Sequence, residues 1–165
     1  MSLESFNALD RDAARAALRV CVDIDRWVDA IVDGRPYSSV DELMTAGQSA
    51  AGSWTESEID AALAHHPRIG ERASGSGAEA AHSRSEQAGV DATDTEVQGA
   101  LVAGNLAYED RFDRIFLIRA AGRSSREVLD ALNARLLHSP EEEVAVVAEQ
   151  LREIAVLRLE KVVAA

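Results

Sequence analysis

Along this 165-residue chain five pairs of a Ser or Thr with a Glu three residues later read as capping boxes ahead of a helical run: Ser39–Glu42, Thr55–Glu58, Thr93–Glu96, Ser124–Glu127 and Ser139–Glu142. In such a pair the hydroxyl accepts from the backbone N–H three residues on, and the Glu reaches back, so each marks a helix start. Pro140 follows the last of them at the first helical position, where a missing N–H costs nothing. Alternating apolar–polar strand patterns are nearly absent. The periodicity predicts helices near 10–22, 24–33, 40–51, 56–65, 77–88, 94–112, 125–137 and 140–162. Gly34, Arg35 and Pro36 end the second helix. Pro67 ends the fourth, because a proline pushes the residue before it out of the helical region. The apolar run Ile115 to Ile118 is too short for an independent helix and reads as a buried extended connector near 115–119. The expected architecture is all-α, a single-domain bundle of about eight helices covering residues 1–165. The small-residue loop 71–77 (ERASGSG) is expected to be able to move.

Charge narrows the partners. Lys and Arg number 17 against 29 Asp and Glu, a formal net charge of −12. Nucleic acid and anionic membrane surfaces both need a basic face, so neither is expected as a partner. A small anionic substrate remains open, provided that it meets a local arginine. The one cysteine, Cys21, makes neither an intrachain disulfide nor a Cys-rich zinc site, which suits a reducing cytoplasm. The N-terminus lacks a signal-peptide pattern, and no apolar run approaches the ~18 residues of a membrane span. A cytoplasmic location is the expectation.

Three stretches carry candidate chemistry. In HHPRIGE (65–71), His66 sits where a helix must stop, held by rigid backbone on both sides. That suits a positioned acid or base; it equally suits a helix C-cap that complements the dipole. His65 reads as surface. In AEAAHSRSEQAG (78–89), Glu86 and Gln87 lie near a helix end, and His82 shares a face with Glu86. Glu86 either orients a histidine or a polar substrate, with the Gln87 amide beside it, or belongs to a solvated face. In the last helix Val144, Val147, Leu151 and Ile154 step by 3, 4 and 3, and a further step of 4 lands on Arg158. An arginine on a core stripe either snorkels to water past its aliphatic stem or points into a cavity that holds an anion. Asn105, Tyr108 and Phe112 share one helix face and read as core, while Trp27 and Trp54 read as core or interface anchors.

The motifs occur in a recognisable order: RVCVDIDRW ending at Trp27, GRPY at 34–37, HPRIGE at 66–71, SEQAG at 85–89, N-x-x-Y-x-x-R-F at 105–112, FLIRAAGRSSREVLDAL at 116–132 and EI-x-x-x-RL at 153–159. Together they closely resemble the 2-oxo-4-hydroxy-4-carboxy-5-ureidoimidazoline (OHCU) decarboxylase family of urate breakdown, over essentially the whole chain. The resemblance implies an all-helical homodimer without a cofactor or metal. It implies conversion of OHCU to (S)-allantoin and carbon dioxide, after hydroxyisourate hydrolase and in functional coupling with it. By motif match, His66 and Glu86 are the implied catalytic pair. Pro67, Gln87, Phe116, Ile118 and Arg158 are the implied substrate-binding residues, with Phe116 and Ile118 in the connector that lines the pocket. One departure is Asp113, where the family often has Gly. Another is the single Cys21 where the family often has two adjacent cysteines.

Two other readings compete. A metal-dependent hydrolase acting on a ureido compound would use His66, His82 and Glu86, but the chain lacks a recognised spacing such as H-E-x-x-H. A non-catalytic helical adaptor would recruit partner helices on its apolar faces.

Overall fold

The structure, a computed structural model, describes residues 1–64, 66–70, 78–90 and 94–164, with the backbone alone at 78–80. His65, the loop 71–77 and the cap candidate Thr93 lie outside the described residues.

All regular elements among the described residues are helical: α1 (Leu3–Ala8), α2 (Arg11–Arg19), α3 (Asp25–Asp33), α4 (Val40–Ala51), α5 (Glu56–Leu63), α6 (Ala78–Glu86), α7 (Thr95–Phe112), α8 (Ser125–Arg135) and α9 (Pro140–Val163). The all-α expectation holds, with nine helices rather than about eight. The unpredicted one is α1, whose six residues are too few to show an apolar period. Ser2 caps its start, and the GRPY turn secures its end from a distance. Arg35 Nη1 donates to the Phe6 and Leu9 carbonyls at 2.9 and 2.8 Å, and Asn7 and Tyr37 exchange two side-chain-to-backbone hydrogen bonds. A second correction concerns α2, which ends at Arg19 rather than 22, with Cys21 N–H turning back to Leu18 O.

The capping signals are largely realised. Ser124 with Glu127, Thr55 with Glu58, and Ser139 with Glu142 form reciprocal pairs. Ser39 accepts from Glu42 N–H, but the Glu42 carboxylate turns to Ser38 instead. At α7 the cap is Asp94, whose side chain accepts from Val97 N–H.

The described chain forms two compact units, Met1–Ala62 with Leu151–Ala165, and Leu63–Gln150. In the first unit the fully buried Trp27 donates from Nε1 to Gly47 O at 2.8 Å, fixing α3 against α4, and Leu18, Ile31 and Leu43 are fully buried in the same unit. In the second, α7 packs on α8. Gly104 permits this: a Cβ there would lie 2.5 Å from Leu132 Cδ2. Tyr108, Phe112 and Phe116 form an aromatic cluster beside Leu101, Val128 and Leu132.

Candidate active site

The site is built from the second unit upward. Helix α5 stops at Leu63, and His66 N–H closes a tight turn onto Leu63 O at 2.9 Å. Pro67 then prevents the helix from resuming. The backbone after it is held at three points. Asn105 Nδ2, on the buried face of α7, donates to Ile69 O at 3.0 Å. Gly70 N–H donates to Gln87 Oε1 at 3.1 Å. Arg68 makes a forked ion pair with Glu109, with Nε at 2.5 Å and Nη2 at 2.9 Å. Gly70 has φ +88°, a conformation that only glycine adopts without strain, which is why the motif ends as it does. The Ile69 side chain is buried in the same cluster as Phe116 and Ile118.

Helix α6 ends at Glu86, two residues short of its predicted end. Gln87 therefore lies in the following turn, where its amide reaches residues 68–70. Glu86 is buried, as is Ser83 one turn earlier. Glu86 therefore does not lie on a solvated face. His82 is half-buried.

The connector forms no helix, and Phe116, Leu117 and Ile118 are buried in it, as predicted. A buried segment without a strand neighbour must find partners for its backbone groups elsewhere. Side chains supply three of them. Arg135 Nη1 donates to Leu117 O at 2.6 Å, Gln150 Oε1 accepts from Arg119 N–H at 2.9 Å, and Arg123 Nε donates to Arg119 O at 3.1 Å. Arg135 also stacks over the Phe116 ring, 4.6 Å from its centroid. Its charge is met by Glu143, which is 1% exposed: Arg135 Nε and Nη2 lie 2.8 and 2.5 Å from Glu143 Oε1. Tyr108 hydroxyl donates to the same carboxylate, and His138 Nδ1 lies 2.8 Å from its other oxygen. Desolvation, and next the bond to Glu143, push the Tyr108 phenol well above its usual range, so it stays a donor.

Sequence reasoning missed Asn105, Arg135 and Glu143. Asn105 reads as part of an aromatic core stripe. Arg135 reads as a basic residue complementing the end of a helix, and Glu143 is hidden in a run of three glutamates.

Arg158 lies in the first unit. It is 1% exposed, so it does not snorkel, and its Nη1 lies 3.4 Å from Val20 O. The buried face of α9 runs Glu143, Val147, Leu151, Ile154 and Arg158, a charged residue at each end of an apolar stripe. Val144, predicted on that stripe, is only partly buried. Among the described residues no three His, Cys, Asp or Glu side chains gather as metal ligands, His66, His82 and Glu86 included.

An all-α chain with a histidine–proline turn braced from α7 and from the turn after α6, next to a buried irregular connector, defines a small helical enzyme class. The chain belongs to the OHCU decarboxylase family, whose model matches residues 7–160. It is 28% identical over 160 residues to the 2-oxo-4-hydroxy-4-carboxy-5-ureidoimidazoline decarboxylase of Haloferax volcanii, covering 96% of this chain and 94% of that one. It is 30% identical over 151 residues to the uric acid degradation bifunctional protein TTL of Arabidopsis thaliana, covering 87% of this chain but 45% of that longer protein. Its fold is similar to a solved OHCU decarboxylase crystallised in the presence of (S)-allantoin, at TM-score 0.73, 22% identity, and coverage of 89% of this chain and 96% of that one.

Proposed function

We propose that this chain is a carboxy-lyase that converts OHCU to (S)-allantoin and carbon dioxide in urate catabolism. The observation that carries the reading is the family match over residues 7–160, which runs through both compact units. It supports treating residues 1–165 as one decarboxylase domain.

The chemistry asks for no added electron sink. The carboxylate leaves from a ring carbon next to a carbon–nitrogen double bond. The electron pair of the breaking bond forms a new carbon–carbon double bond, and the displaced π pair moves onto nitrogen, which takes up a proton. The resulting enol collapses to the ring carbonyl as the neighbouring carbon takes a proton, and the face of that protonation sets the chirality. The protein's tasks are to hold the anion, move the proton and choose the face. His66 is the general acid–base, a role typically worth ~10²–10⁴-fold. Its support is the braced turn of residues 66–70. Glu86 orients the imidazole or the ureido N–H groups, consistent with its burial. Pro67 shapes the pocket wall, Gln87 contributes its amide while bracing Gly70, and Phe116 and Ile118 line the site. Arg158 fixes an anionic group of the substrate; a guanidinium suits a carboxylate by its planar fork.

The same reading includes a cytoplasmic homodimer that acts directly after hydroxyisourate hydrolase. Support for the pathway link comes from the names of two relatives, the bifunctional uric acid degradation proteins of Arabidopsis thaliana and of a Bacillus strain.

Chirality tests the reading, since OHCU decays spontaneously to racemic allantoin. Urate is incubated with urate oxidase and hydroxyisourate hydrolase, with or without this protein, and followed by circular dichroism. The protein is expected to give an optically active product, and His66→Asn to give a racemate while remaining folded. A racemic product with the wild-type chain would overturn the proposal. Normal turnover by His66→Asn would remove His66 from it. Arg158→Ala is expected to raise KM strongly.

A further inference from the structure

The connector's backbone points to a residue that acts without touching substrate. Arg135 grips the connector twice, by its bond to Leu117 O at 2.6 Å and by stacking on Phe116. A trans peptide is planar, with its C=O and the following N–H pointing to opposite sides. Capture of the Leu117 carbonyl therefore aims the Ile118 N–H away from Arg135. Among the described residues nothing accepts a hydrogen bond from that N–H, although Ile118 is buried. A buried N–H without a partner is rare in proteins and calls for an acceptor. Ile118 lies in the same cluster as Ile69 of the braced histidine turn.

We infer that Arg135 is a positioning residue for the decarboxylation: through Leu117 it presents the Ile118 N–H as a donor to an oxygen of the substrate. This rests on the function proposed above. Glu143 and Tyr108 complete the device. The carboxylate holds the guanidinium in the orientation that reaches Leu117, and the phenol holds the carboxylate. A lysine here keeps a charge beside Glu143 but has neither the flat face for Phe116 nor a second arm for Leu117.

The test is Arg135→Lys, with the double variant Arg135→Met, Glu143→Leu alongside. The double variant removes both buried charges together and so keeps a folded form if the lysine variant does not. Two quantities are read on folded protein, KM and kcat for OHCU and the Ile118 amide resonance of ¹⁵N-labelled protein titrated with (S)-allantoin. Misplaced reacting geometry is expected to lower kcat/KM by about 10- to 100-fold. The Ile118 resonance is expected to move in the free variant and to lose the response to allantoin that it has in the wild type. A merely structural arginine would leave the Ile118 response intact. Wild-type kinetics together with a wild-type Ile118 response in a folded variant overturns the inference. Failure of the wild-type chain to act on OHCU overturns the functional reading instead, and the Ile118 resonance of the free variants still decides whether Arg135 orients that peptide.

Discussion

Replacing Glu143 by Leu takes away the acceptor for three buried or half-buried donors. Arg135 loses its counter-charge at 2.5 and 2.8 Å, Tyr108 loses the acceptor for its hydroxyl, and His138 loses its partner at 2.8 Å. Breaking a buried pair by removing one partner costs about 3–5 kcal/mol, because the other charge stays desolvated. A chain of this length loses roughly 2–4 °C of melting temperature per kcal/mol, so Glu143→Leu is expected to melt some 6–20 °C lower. The cost comes from the stranded guanidinium, so removing it as well restores much of the loss. Arg135→Met with Glu143→Leu leaves the Leu117 carbonyl, the Tyr108 hydroxyl and the half-buried His138 ring short of partners, a deficit of about 1–3 kcal/mol for each buried group. Urea unfolding of wild type, both single variants and the double closes a mutant cycle. The expected coupling is about 2 kcal/mol or more, near the upper end for residues in direct contact. Additive losses, or a Glu143→Leu protein within about 1 kcal/mol of wild type, would refute the claim that this pair is a desolvated unit.

Two further predictions concern stability away from the site. Asp113 closes α7 in the left-handed region, at φ 53° and ψ 32°, with its N–H on Glu109 O. Asp113→Val is expected to cost about 1–2 kcal/mol in urea unfolding, whereas Asp113→Gly loses nothing or gains slightly. The Glu58 carboxylate is lowered to about 2 by its hydrogen bond from Arg26 and next by the Thr55 N–H. Its contribution is complete above the unfolded carboxylate value and disappears as pH falls through about 2. Glu58→Gln should lower the urea midpoint at neutral pH and flatten its decline across that acid window.

Where a helix begins with its own chemistry, the sequence is enough to place it. Ser39 before Val40 puts α4 at its observed bounds, because the cap is local. Helix α1 is the opposite case: its end is secured by Arg35 and Tyr37, some thirty positions away, and no local pattern announces such bonds. The site divides in the same way. His66, Pro67, Glu86 and Gln87 stand in motifs that a family resemblance marks, while their own local patterns equally suit a cap and a solvated face. The residues that brace the histidine turn and the connector are legible only in three dimensions. Asn105 looks like a core filler until Ile69 O is found against it. Glu143 looks like dipole chemistry at a helix start until its side chain proves to be the buried one of three. Asp113 is a departure from the resemblance that the structure accommodates, since Asp tolerates left-handed backbone better than most residues.

Along α2 and α3, Arg11, Arg15 and Arg19 are interleaved with Asp23, Asp25, Asp29 and Asp33. These guanidiniums face their own acids, so this patch offers little cationic pull to a distant anion, and the formal charge of −12 repels one. An anionic metabolite would then reach this molecule by unaided diffusion against a mild barrier. Dissolved electrolyte would lower that barrier rather than remove an attraction. On the proposed function, capture would then fall to groups met only at close range, Arg158 among them.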